Sequence, residues 1–167
     1  MRLRSNLAID LMMSEQSQHG IEEAQSALKF FEKAGAETWI SFNANNLSNA
    51  FLELDNLEQA ADYARKVMSL EEPSTYGYGI FTLGEVFRRQ ANYEAALETL
   101  KMSLAQAQRT EDRYLIAYCY QALGEVQIGL NNHDKALAIL VEAEKLFEEM
   151  EIAAELEKTR ALIKSIT

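Results

Sequence analysis

Apolar positions recur along this 167-residue chain at steps of three and four, the spacing that gathers side chains on one face of an α-helix. Tyr93, Ala96, Leu97, Leu100, Leu104 and Ala107 form one such stripe, and Ala136, Leu140, Ala143, Phe147 and Met150 another. Short polar breaks separate the periodic segments at His19-Gly20, Asp55-Asn56, Ala91-Asn92 and Asn131-Asn132. Asn and Gly accept the left-handed backbone that ends a helix, so each break predicts a turn between two helices. Pro73 and Ser74 open a further helix, where the missing proline N–H costs least.

The pattern itself repeats. Leu83-Gly84-Glu85-Val86 returns further along as Leu123-Gly124-Glu125-Val126. Twelve residues beyond the glycines stand Ala96 and Ala136, and four further on Leu100 and Leu140. Leu47-Ser48 leads likewise to Ala60 and Ala64, and Leu11-Met12 more weakly to Ala24 and Leu28. The alanines therefore recur at a nearly constant step, at Ala24, Ala60, Ala96 and Ala136, the last interval being slightly the longest. A small residue on one helix facing an alanine on the next lets the two axes approach within about 8–10 Å. Glycine inside a helix costs about 1 kcal/mol relative to alanine, so its return at one repeat position implies a packing reason. After the last hairpin, Ile152, Leu156, Ile163 and Ile166 can face inward on one more helix, with Glu151, Glu155, Glu157, Lys158 and Arg160 toward solvent. Such a helix would cover the exposed end of a stack of hairpins.

The Leu-Gly pair, the aromatic three residues beyond it (Phe87, and Phe51 one repeat earlier) and the run Tyr93-x-x-Ala96-x-x-x-Leu100 resemble the tetratricopeptide repeat family. The likeness covers about residues 5 to 150 and is strongest in the last two repeats. Gln127 and Glu15 depart from it where an aromatic is usual, and His133 where the turn tyrosine is usual. Each step between the alanines is also somewhat longer than the repeat of roughly 34 residues usual in the family. Longer variants occur in bacterial multidomain regulators of the MalT or NB-ARC type, which the wording Leu-Gly-Glu-Val…Asn-Tyr-Glu-Ala-Ala-Leu resembles, and in kinesin light chain. The resemblance implies an all-α fold: a right-handed α-solenoid of about four helical hairpins, about nine helices in all, with a C-terminal capping helix. The expected organisation is a single solenoid over residues 1–167, with repeats near 5–36, 41–72, 77–112 and 117–150 and a cap at 152–166. The chain could equally be a piece of a longer protein.

Composition changes this picture little. The chain is 48% hydrophobic and 25% charged, with one proline and seven glycines, which suits long helices and short turns. Its net charge of −10 repels phosphate, so nucleic acid and anionic membranes are poor partners. Arg2 and Arg4 are too few to reverse that. Cys119 is the only cysteine, which excludes an internal disulfide and a cysteine-based zinc site. The stretch Met1 to Met13 is interrupted by Asp10 and offers no small-residue cleavage site, so it does not read as a signal peptide. The expected location is cytoplasmic.

No catalytic constellation emerges. His19 and His133 fall in separate predicted turns, Glu22-Glu23 and Glu148-Glu149 read as solvated helix faces, and Cys119 has no histidine near it in sequence. The expectation is no enzyme, no metal and no cofactor. Family members use their first helices to line a groove, and the resemblance carries that role to positions here. The second repeat contributes Asn45, Asn49, Leu52 and Glu53. The third contributes Tyr78, Phe81, Glu85, Arg88 and Arg89, and the fourth Tyr118, Gln121, Glu125 and Ile128. Tyr78, Phe81 and Tyr118 suit packing between repeats equally well. The groove lysines of the carboxylate clamp that binds chaperone tails are absent, although Asn49 matches its asparagine. The implied function is a scaffold holding a protein or peptide segment. The alternative is an effector-sensing or oligomerisation segment of a larger bacterial regulator, and self-association is a competing use of the aromatics.

Overall fold

The computed structural model describes residues 17–167. They form eight helices: α1 (Ser17–Ala34), α2 (Glu37–Glu53), α3 (Leu57–Ser69), α4 (Tyr76–Arg89), α5 (Tyr93–Arg109), α6 (Arg113–Gly129), α7 (His133–Glu149) and α8 (Ala153–Ile166). There is no strand among the described residues. The first helix of the weakest repeat, with Leu11 and Met12, lies outside them. His19-Gly20 is not a turn: both residues sit in the opening turns of α1, and Gly20 is buried. A glycine this close to a helix start is as compatible with a buried, close-packed face as with a break.

One connector serves five times. At 54–56, 90–92, 110–112, 130–132 and 150–152 the middle residue takes a positive φ of 56–58°, at Asp55, Ala91, Glu111, Asn131 and Glu151. The N–H of the third residue then bonds the carbonyl five positions back, as from Asn56 to Phe51 and from Asn92 to Phe87, each at 2.9 Å. This is a Schellman closure, which satisfies carbonyls left open at the helix end. The third residue also caps the next helix. Asn56, Asn92 and Asp112 accept from the N–H groups of Gln59, Ala95 and Leu115 at 3.3, 3.4 and 3.0 Å. Asn132 turns back instead and donates to Gln127 Oε1 at 3.0 Å.

The helices fall into two compact units divided after Val86, in the last turn of α4. The first has a core of Ile21, Ala24, Leu28, Phe31, Ile40, Leu47, Phe51, Leu52, Ala60 and Val86, with Tyr63 stacked on Phe51 at 5.6 Å. Ser48 stands where later repeats carry glycine. It is fully buried, and its hydroxyl donates to the Ala60 carbonyl at 2.8 Å. At Gly79 an added Cβ would lie 3.0 Å from Val67 Cγ1, so α3 and α4 meet closely there.

In the second unit, Leu100, Leu115, Val126, Leu140 and Phe147 have almost no exposed surface. A Cβ on Gly124 would fall 2.5 Å from Leu140 Cδ2, which makes glycine the residue that lets α6 and α7 approach. A Cβ on Gly129 would meet the Tyr93 ring at 2.4 Å. Cys119 is buried within α6 and donates to Ser103 Oγ at 3.3 Å. α8 rests Ile152 and Leu156 on the cluster of Ala117, Ala143 and Phe147.

Candidate interaction surface

In the first unit, α2 and the segment leading into α4 lie side by side through a ladder of short polar side chains. Thr38 donates to Glu72 at 2.9 Å, Ser41 and Thr75 share a hydrogen bond at 2.5 Å, and Thr82 donates to Asn49 Oδ1 at 3.1 Å. Small hydroxyl residues permit that approach, and their bonds fix the register. Asn49 is exposed, with its carbonyl oxygen held by Thr82. Asn45 is half-buried, and its Oδ1 has no hydrogen-bond partner among the described residues. Tyr78 and Phe81 are half-buried, Glu53 is exposed, and Glu85 keeps 8% of its surface. Leu52 is not a surface position: it belongs to the core, because the helix carries it one step past the exposed stripe.

In the second unit the expected positions are joined to each other and to α8. Arg88 Nη1 pairs with Glu125 Oε2 at 2.7 Å, and Lys158 Nζ reaches Glu125 Oε1 at 3.2 Å. Gln121 is buried; its amide donates to Thr159 Oγ1 at 2.8 Å and to the Glu155 carbonyl at 3.4 Å, and its oxygen accepts from Lys158 at 3.4 Å. Tyr118 lies 4.9 Å from Tyr114 and meets Phe147 edge-on at 5.3 Å, with the two tyrosine hydroxyls 3.2 Å apart. Arg89 is exposed and Ile128 half-buried. The charges expected to face a ligand at Arg88 and Glu125 are therefore compensated internally, and Gln121 is committed to α8.

Lys158 and Arg160 are exposed, as expected, and Glu155 is half-buried, yet all three residues take part in polar bonds to neighbouring helices. Lys158 joins Glu125, the Glu155 carbonyl accepts from Gln121, and Arg160 bonds Glu144 at 2.6 Å and Glu148 at 2.9 Å. Those two carboxylates, Glu144 first, push the Arg160 pKa above its ordinary value. The buried centre of α8 is Thr159, a polar residue that an apolar-stripe reading passes over.

Sequence reasoning also passes over Phe42. Phe42, Tyr78 and Tyr118 are spaced like Ala60, Ala96 and Ala136, so one repeat position is aromatic three times. That recurrence is the available signal. Among the described residues, no group of three or more His, Cys, Asp or Glu side chains is placed to hold a metal, and no helix is long and apolar enough to cross a membrane. Both histidines are exposed, His133 on the first turn of α7.

The family model "Tetratricopeptide repeat" matches residues 76–149. No curated protein matches the sequence significantly. Among solved structures, aspartyl phosphate phosphatase F from Bacillus subtilis superposes with a TM-score of 0.83 at 16% identity, over 96% of this chain and 43% of that one. The apo form of RapI gives 0.74 at 19% identity, over 97% and 62%. The putative kinesin light chain repeats of Podosopora anserina give 0.60 at 15% identity, over 99% and 93%. This chain thus spans 43% and 62% of the first two proteins. At such identities the likeness is one of fold. Residues 76–149 belong to the tetratricopeptide repeat family, and the chain as a whole has the fold of its helical repeats.

Proposed function

We propose that the chain is a non-catalytic scaffold that holds a segment of another protein on the first-helix faces of its hairpins. The observation that carries this reading is the surface of α2 and α4 in the first unit. There Asn49 is exposed yet fixed by Thr82, beside the half-buried aromatics Tyr78 and Phe81. A polar group whose geometry is already set loses little freedom on binding, and aromatics are frequent anchors at interfaces. Arg88 and Lys158 are both engaged by Glu125, so a ligand of mixed charge with one or two apolar anchors suits this chain better than a uniformly acidic tail. A cytoplasmic protein without a nucleic-acid partner accords with the net charge of −10.

A second reading rests on coverage. The chain matches under half of a bacterial aspartyl phosphate phosphatase, which accords with an effector-sensing or oligomerisation segment of a larger regulator. The test of the first reading is titration calorimetry with a partner captured by the full chain. Replacing Asn49 and Tyr78 together by alanine should weaken binding at least tenfold. Unchanged affinity with intact helicity would overturn it.

A further inference from the structure

A row of aromatic rings crosses from α1 to α2. Phe30 meets Phe31 edge-on at 5.6 Å, Phe31 stacks on Trp39 at 5.7 Å, and Trp39 lies 6.5 Å from Phe42. Phe31 is buried in the core of its unit, but Phe30, Trp39 and Phe42 keep 48%, 36% and 46% of their surface. The buried Phe31 ring anchors the row, in contact with both Phe30 and Trp39. Three large exposed aromatics in one row are more apolar surface than a helix pair needs, and such patches mark interaction sites. The row shares α2 with the surface described above, through Trp39 and Phe42, and continues onto α1 through Phe31 and Phe30.

The surrounding charge identifies what would cover it. Lys29 and Lys33 flank Phe30 on α1, one residue before it and three after, and both are exposed. Neither forms an ion pair among the described residues, whereas neighbouring Lys66 pairs with Glu32. Glu37 is the one acid in the first turn of α2. In a chain of net charge −10, two uncompensated lysines around an exposed ring run against the bulk composition. Glu32, between the two lysines, is already engaged by Lys66, and screening over about 8 Å at physiological ionic strength weakens the more remote charges, so among the described residues Lys29 and Lys33 are the unpaired charges at the Phe30 end of the row.

We propose that the Phe30–Trp39–Phe42 row is a second docking surface, for an acidic protein segment that carries apolar anchors. Leu or Phe side chains of the segment would lie against the three rings, and its Asp and Glu residues would pair with Lys29 and Lys33. The proposal stands independently of the reading given above for Asn49 and Tyr78.

Trp39 is the only tryptophan in the chain, so its emission reports occupancy of the row directly. The experiment titrates the full chain with a synthetic peptide in which Glu and Asp alternate with Leu and Phe at helical spacing. A saturable blue shift is expected, weakened at least tenfold by Lys29→Glu with Lys33→Glu and by Phe30→Ser, with circular dichroism unchanged. Tyr78→Ala should leave it unaltered. Equal binding of a peptide with Lys in place of the acids would overturn the proposal, as would indifference to all three substitutions. So would a shift produced by phosphatidylserine vesicles alone, or one that grows with protein concentration while the sedimenting mass doubles.

Discussion

Ala91 and Glu111 hold a φ of 56°, a conformation that costs an L-residue about 1–2 kcal/mol. Glycine there would relieve the strain but would gain freedom in the unfolded chain. The balance predicts that Ala91→Gly raises stability by about 0.5–1 kcal/mol, read from urea denaturation. The opposite sign applies at Gly124. Alanine is the better helix former by about 1 kcal/mol, but overpacking a filled core costs roughly 1–3 kcal/mol. Because the new Cβ would fall 2.5 Å from the fully buried Leu140, Gly124→Ala should lower the melting temperature. Gly124 was legible in the sequence because its motif recurs. Gly79 and Gly129 were not, since their partners Val67 and the Tyr93 ring lie on other helices and no repeated pair announces them.

At the scale of the element, α8 is the instructive helix. It docks through polar bonds as much as apolar ones: Thr159 to Gln121, Lys158 to Glu125, and Arg160 to Glu144 and Glu148. Thr159→Val keeps the shape and removes the acceptor, stranding a buried amide donor. The expected loss is about 1–3 kcal/mol in chemical denaturation, against almost none for a surface threonine. Glu125 and Arg88 retain 13% and 21% of their side-chain surface, so their bond is shielded. Glu125→Gln should cost about 1–2 kcal/mol, and the loss should persist in high salt, unlike that of an exposed pair. The existence and limits of α8 were readable from its length and its periodic Ile152 and Leu156. Its polar seam was not, because a stripe of apolar residues says nothing about a threonine that becomes a buried acceptor.

At the scale of the whole molecule, the near-constant recurrence of Ala24, Ala60, Ala96 and Ala136 disclosed the all-helical repeat fold, since each hairpin buries its face only against its neighbours. The division after Val86 was not legible, because it falls inside a helix with no change of composition. The sequence could name candidate surface positions, but not which of them other side chains already engage. Repeat register locates Arg88, Gln121 and Glu125, while only packing reveals that α8 and the arginine engage two of them. The most direct test of the scaffold reading is site-specific photo-crosslinking from the full chain in cells. A photoreactive residue would replace in turn Asn49, Glu53 and Tyr78 on the first helices of the first unit, and Met102 and Val141, which are exposed on second helices. The scaffold account predicts crosslinks to one segment of a partner protein from the first-helix positions and none from Met102 or Val141. Crosslinks from Met102 and Val141 alone, or only to other copies of this chain, would contradict it.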